Sequence, residues 1–241
     1  MIKTDMTYQD IVYKDTVYKD TVYQDSVYQK IGLTGRVLGA LFYCEPDSAE
    51  CRDIVVQLRN GAWAAEWPYG GADELMPIAT LLAAAQSEQY QSIAHQSAVA
   101  PLAETLEEAW QRLFIGPYAL PAPPWGSVYL DKDMVLFGDS TLKLRNWMQQ
   151  RHVEVTLKQQ EPEDHFGLLM MMAAWLAEHQ PVDLPVLLAD HLLPWSYRYL
   201  ALLQSDAGHP FYQGLAQLAT LTLTHWQHEL QVTPARVELY R

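Results

Sequence analysis

The side chains best placed to do chemistry fall in two separated clusters. Glu161-Pro162-Glu163-Asp164-His165 reads as a helix start, with proline at the first helical position and three acids in or beside the first turn. Carboxylates there offset the positive helix end and satisfy free N–H groups, contributing about 0.3–1 kcal/mol each. They can equally grip a basic group on a partner through charge-assisted bonds, which are strongest with arginine. His165 reads either as a capping or core histidine or as part of that grip. The second cluster is GPYALPAPPWGSVYLDKDMVLFGD, from Gly116 to Asp139, with prolines at 117, 121, 123 and 124. It is too apolar for disorder and must find cover for Tyr118, Leu120, Trp125, Val128, Tyr129, Leu130, Leu136 and Phe137. Prolines stiffen such a loop and leave its carbonyls free to accept from an incoming chain. It is either a rigid lid over a helical core or one wall of an aromatic groove.

Catalysis has less to build on. The chain lacks a phosphate-cradling GxxxxGK[ST], a nucleophile-elbow GxSxG and an HExxH zinc motif. Gly138-Asp139-Ser140-Thr141 reads as a turn and helix cap, and His225, His228 and Glu229 as surface residues without a distant third ligand. Cys44 and Cys51 match no thiol-redox or zinc spacing and read as buried thiols rather than ligands or a regulatory disulfide. The balance of 16 Lys+Arg against 29 Asp+Glu gives a formal charge of −13, which repels nucleic acid and anionic lipid and attracts a basic peptide. The apolar run from Phe166 to Ala177 is too short to span a bilayer, and the amino terminus does not look like a secretory signal. A cytoplasmic protein with no integral membrane segment and no bound metal or cofactor is expected.

The elements that must position these clusters are helical. With 241 residues an ordinary fold hides roughly 70–75% of the surface its unfolded chain exposes, enough to stand without a disulfide or structural metal. Residues 8–30 form a pentapeptide repeat with Tyr8, Tyr13, Tyr18, Tyr23 and Tyr28 in register. A period of five fits neither helix nor strand, so 1–30 is expected to be an appended, solvated extension, helical near its end, ahead of a domain at 31–241. Ile31, Leu33, Val37, Leu38, Leu41 and Phe42 share one side of a helix, which Glu45 to Ser48 stops. Further helices are expected over Leu75–Ala85, Leu102–Ile115, from Ser140, after Pro162, and over Leu184–Leu193, Trp195–Leu203 and Phe211–Leu230. The β-rich stretches Ser127–Leu130, Met134–Phe137 and Val153–Leu157 are short and isolated. The class is all-α: a single-domain helical bundle with one long proline- and aromatic-rich loop.

Trp110–Leu142 (WQRLFIGPYALPAPPWGSVYLDKDMVLFGDSTL) followed by EPEDH at 161–165 resembles the TorD/DmsD family of redox-enzyme maturation chaperones. RVLGALFY (Arg36–Tyr43) and HPFY (His209–Tyr212) agree with its DmsD branch, so the resemblance covers about residues 33–241. It implies an all-helical, cytoplasmic, non-catalytic protein that binds the twin-arginine signal peptide of a molybdoenzyme precursor, such as the dimethyl sulfoxide reductase catalytic subunit. The Tat translocase and molybdenum-cofactor insertion components are further partners it implies. Carried over by residue, it points to Tyr43, Trp110, Leu113, Phe114 and Tyr118 as peptide contacts. Pro124, Trp125, Gly138, Pro162, Asp164 and His165 complete the set. Tyr118 and Tyr129 stand where the nearest DmsD sequences are expected to carry Trp, and the repeat at 8–30 lies outside the family pattern. The competing readings are a weak guanine-nucleotide-binding protein and a general helical interaction module.

Overall fold

In the computed structural model residues 8–84, 104–154 and 161–241 are described, with side chains in the first helix described from residue 26. The expected helix start at Leu102 and the β-rich residues 155–157 lie outside them. Ten helices can be named: α1 (Tyr8–Tyr43), α2 (Arg52–Asn60), α3 (Ala72–Ala84), α4 (Leu106–Trp110), α5 (Ser127–Leu130), α6 (Asp139–Gln150), α7 (Phe166–His179), α8 (Leu184–Val186), α9 (Leu193–Asp206) and α10 (Pro210–Glu229). The all-α class expected from the sequence is the one observed, with no strand among the described residues.

The pair α1 and α7 is the spine of the bundle, and α10 packs on α3 and α9. Small residues let the spine close up. A Cβ on Gly39 would lie 2.9 Å from the Gly167 carbonyl, and one on Gly167 would lie 2.8 Å from the Gly39 carbonyl. Such backbone approach leaves no room for any side chain at the crossing. Around it a continuous aromatic core forms: the Phe42 ring meets Phe166 edge-on at 4.7 Å, Phe166 meets Tyr199 at 5.1 Å, and Tyr129 stacks on Trp195 at 5.4 Å. These edge-to-face and offset geometries are the favoured ones for aromatic quadrupoles.

Several local expectations need correcting. Leu33, placed by periodicity on the buried side of α1, is 56% exposed. The extension is helical near its end, as expected, but that end is not solvated: Val27 is buried and Tyr28 packs against the core. Ser127–Leu130 is a helical turn rather than β-like, and Met134 and Phe137 adopt positive φ of 51° and 60°, which a strand does not allow. Leu136 and Phe137 stay exposed, as does Tyr118 at 85%, so the long loop is only partly covered. Finally, α7 begins at Phe166 with His165 as its N-cap, so Pro162 sits in the preceding turn, closed by the His165 N–H on the Pro162 carbonyl at 3.2 Å.

Candidate functional site

The amphipathic run after Thr105 builds the first wall of the site. A complete capping box starts α4: the Thr105 hydroxyl accepts from the Glu108 N–H at 3.2 Å and the Glu108 carboxylate accepts from the Thr105 N–H at 2.8 Å. The helix then widens into a π-turn at Gln111–Ile115, closed by the Gly116 N–H on the Gln111 carbonyl at 2.8 Å. Wide turns of this kind shift side chains off the α-helical stripe. Here Trp110 and Phe114 stack at 4.3 Å and, though buried, line the groove together, while Leu113 turns into the core with no exposure.

The long loop closes the second wall by pairing with residues 164–166. The Phe166 N–H donates to the Pro124 carbonyl at 2.7 Å, the Gly126 N–H to the Asp164 carbonyl at 3.1 Å, and the Ser127 N–H to Asp164 Oδ2 at 2.6 Å. Trp125 and His165 face each other across this short bridge, with ring centroids 5.7 Å apart, and Tyr43 meets His165 edge-on at 5.2 Å.

Between these walls lies a groove of about 600 Å³. Its floor is apolar, built of aromatic, thioether and aliphatic side chains: Trp110, Phe114, Leu168, Met171, Met172 and Trp175. Its rim is acidic, with Glu45, Glu50, Glu154 and Glu161. The Trp110 indole N–H is buried with no acceptor among the described residues, leaving a donor at the floor unsatisfied.

The three acids of the 161–165 cluster part company. Glu161 faces the groove; burial pushes its carboxyl above the usual range, with the Trp125 indole and the Tyr43 hydroxyl opposing. Glu163 is taken by Arg145 of α6, with Nε 2.6 Å from Oε2. Asp164 is buried and turns away into a second, smaller pocket of about 320 Å³ beside Asp131 and Asp190. Burial raises its pKa as well, countered by the Ser127 amide and the Ser127 and Thr141 hydroxyls. His165 is held neutral, its pKa lowered by burial to about 3. Its Nδ1 accepts from the Gly167 N–H at 3.1 Å, so Nε2 carries the proton and lies 3.9 Å from Glu161 Oε1.

Of the residues expected at a peptide site, the groove thus brings together Tyr43, Trp110, Phe114 and His165, with Trp125 edge-on to His165. Leu113 is core, Tyr118 points to solvent, and Pro124 and Pro162 hold backbone turns. Gly138 lies where a Cβ would meet Asp131 Oδ2 at 2.2 Å; its bareness lets that carboxylate cap α6 by accepting from Ser140 N at 3.1 Å and Oγ at 2.7 Å. Sequence reading missed Leu168, Met171, Met172 and Trp175. Their signal is faint but real: 168, 171 or 172, and 175 repeat at helical spacing, and Trp175 is 38% exposed among buried neighbours from Met172 to Ala177. His225 stacks on the Tyr69 ring at 5.3 Å. Among the described residues no cluster of His, Cys, Asp or Glu is arranged to hold a metal.

The sequence model of the nitrate reductase delta subunit family matches residues 76–201. A Tat proofreading chaperone DmsD from Salmonella typhi is 50% identical over 210 residues, 87% of this chain and 95% of its own length. The chain belongs to the TorD/DmsD family. A probable Tat proofreading chaperone DmsD from Haemophilus influenzae is 40% identical over 212 residues, covering 88% of this chain and 97% of that protein. The chaperone protein YcdY of Escherichia coli is more distant, at 26% over 200 residues. The family is one of chaperones and not of catalysts. Both walls of the groove fall within the matched region, whereas Tyr43, which meets His165, precedes it.

Proposed function

We propose that the groove receives the twin-arginine signal peptide of a molybdoenzyme precursor, the dimethyl sulfoxide reductase catalytic subunit or a similar one, and shields it until maturation is complete. One observation carries this reading: an apolar floor of Trp110, Phe114, Met172 and Trp175 directly under an acidic rim in which Glu161 has no cationic partner among the described residues. A twin-arginine signal has a basic head followed by a moderately apolar stretch. The floor suits the stretch, since methionine and tryptophan adapt to many apolar sequences. The rim suits the head, since a guanidinium beside Glu161 restores the charged carboxylate that burial disfavours.

The relatives' names supply the Tat assignment, and the charge of −13 supports a basic partner independently. Docking to the translocase and to cofactor-insertion components, work in the cytoplasm, and division of the chain into a 1–30 extension and a 31–241 domain belong to the same reading. No described helix is long and apolar enough to cross a membrane. Titration of the full chain with a twin-arginine peptide, one with both arginines changed to glutamine, and a scrambled peptide tests it. Tight binding of the first alone is expected. Equal affinity for all three would leave only a general interaction module.

A further inference from the structure

At the end of α1 the chain doubles back over one backbone oxygen. The Ala40 carbonyl accepts from the Cys44 N–H at 2.8 Å and from Cys51 Sγ at 3.2 Å, so both cysteines are anchored to the same atom. The turn between them is set by the Ser48 N–H on the Glu45 carbonyl at 3.1 Å and the Cys51 N–H on the Ser48 carbonyl at 3.2 Å. Cys51 lies fully buried under this turn, whereas Cys44 is half-buried and faces the peptide groove beside Tyr43. No disulfide joins them.

We propose that Cys44 and Cys51 are an oxidisable pair, joined into a disulfide by a peroxide, and that the link remodels the wall of the groove that Cys44 lines. Their separation in sequence matches no redox motif because they meet across a helix-to-turn corner rather than within one helical turn. The neighbouring Cys44 thiol, together with burial, keeps the Cys51 proton on well above the usual thiol range. Access and proton both point to Cys44 as the first to react. Its thiolate attacks the peroxide O–O bond, giving a sulfenic acid while the leaving hydroxide takes a proton and departs as water. The Cys51 sulfur then displaces the sulfenic oxygen, which leaves with the Cys51 proton as a second water. Thiols are oxidised, peroxide is reduced, and the S–S bond draws the Cys44 sulfur off the groove wall. The turn carrying Glu45, Ser48 and Glu50 becomes a closed ring.

The effect on binding rests on the groove being the peptide site; the chemistry does not. Reduced full-length protein exposed to hydrogen peroxide, alkylated, digested and mapped by mass spectrometry should yield a Cys44–Cys51 linked peptide from monomeric chain. The oxidised protein should bind the twin-arginine peptide about fivefold more weakly, the lower end of common coupling between sites. Cys51→Ala, whose side chain does not line the groove, should bind normally when reduced and lose the response to peroxide. Cys44 carried to sulfinic acid with Cys51 untouched, or a disulfide between chains, would overturn the proposal. A mapped link with unchanged affinity would overturn the coupling to the groove. Mapping of wild type needs neither the variant nor the peptide, so failure of the peptide reading is seen separately, in the reduced protein.

Discussion

The N–H of Phe166, first residue of α7, donates to the carbonyl of Pro124 at 2.7 Å, and that bond ties the proline loop to the 161–165 cluster. Two motifs separated in sequence thereby become one wall, with Trp125 and His165 facing each other across it. The loop's stiffness is what makes the bond useful. Prolines 121, 123 and 124 hold their φ angles, so the Pro124 carbonyl is presented without ordering a floppy chain. A rigid wall costs a bound peptide less than one that must first be assembled.

The acid that meets arginine is expected to be Glu161 rather than Asp164. Glu161→Gln should weaken twin-arginine peptide binding by about 1.5–3 kcal/mol, with the loss shrinking as salt is raised. Asp164→Asn keeps an acceptor for the Ser127 N–H and should leave affinity near wild type. Because burial raises the Glu161 carboxyl and a bound guanidinium lowers it, affinity should be full above that raised pKa and fall as pH drops through it. Calorimetry of both variants across pH and salt decides; a loss confined to Asp164→Asn would move the grip to the second pocket.

Leu113 and Trp110, neighbours on one helix, should separate stability from binding. Leu113 has no exposure, so Leu113→Ala should cost about 2–5 kcal/mol of stability and leave affinity per folded molecule unchanged. Trp110→Phe keeps a ring on Phe114 but shrinks the aromatic lining of the groove; it should cost binding while the melting temperature falls less than for Leu113→Ala. Melting curves beside titrations check both.

How far the site was legible from the sequence depends on what each residue's role leaves in the chain. A continuous apolar run marks α7 and helical periodicity marks α10, because both answer to one core. Periodicity fails at Leu113 and Phe114, where the π-turn sends adjacent residues to core and groove, and no side-chain pattern announces a π-turn. The acids at 161, 163 and 164 look equivalent in sequence. They differ only through what folds against them: a groove for Glu161, Arg145 for Glu163 and the Ser127 amide for Asp164. Gly138 reads as a site residue when its bareness in fact serves the Asp131 cap.

The extension gives a sharp truncation test. Deleting 1–25 should leave the melting temperature close to that of the full chain. Deleting 1–30 removes the buried Val27, the Tyr28 ring packed against the core and the Lys30–Glu229 pair, and should cost about 1.5–3 kcal/mol or more, mostly from the two apolar side chains, since a part-exposed ion pair adds little. Equal melting of both truncations would show that Val27 and Tyr28 add nothing to the domain.

His165 makes the acid limb of stability predictable. Its folded pKa of about 3 lies below the ordinary histidine value of 6.5, because burial disfavours the charged ring. The fold therefore holds the neutral form, and the unfolded chain binds the extra proton. Stability supplied by this difference is complete above pH 6.5, declines as pH falls below it, and levels off near pH 3, where the folded ring also charges. Buried carboxyls work the other way: Asp164 and Glu161 have raised folded pKa values, so their protonation favours the fold as pH drops. His191 and His209, whose pKa values burial also lowers, add to this slope, so the His165 share is read as the difference from a variant that leaves those groups and the two raised carboxyls in place. His165→Asn keeps an N-cap acceptor for the Gly167 N–H but does not titrate, so its melting temperature should fall less than that of wild type between pH 6.5 and 5. Parallel thermal melts at half-unit pH steps read this directly. Superimposable slopes would mean that the ring charges as readily folded as unfolded, and would remove the neutral Nε2–H that faces Glu161 across the groove wall.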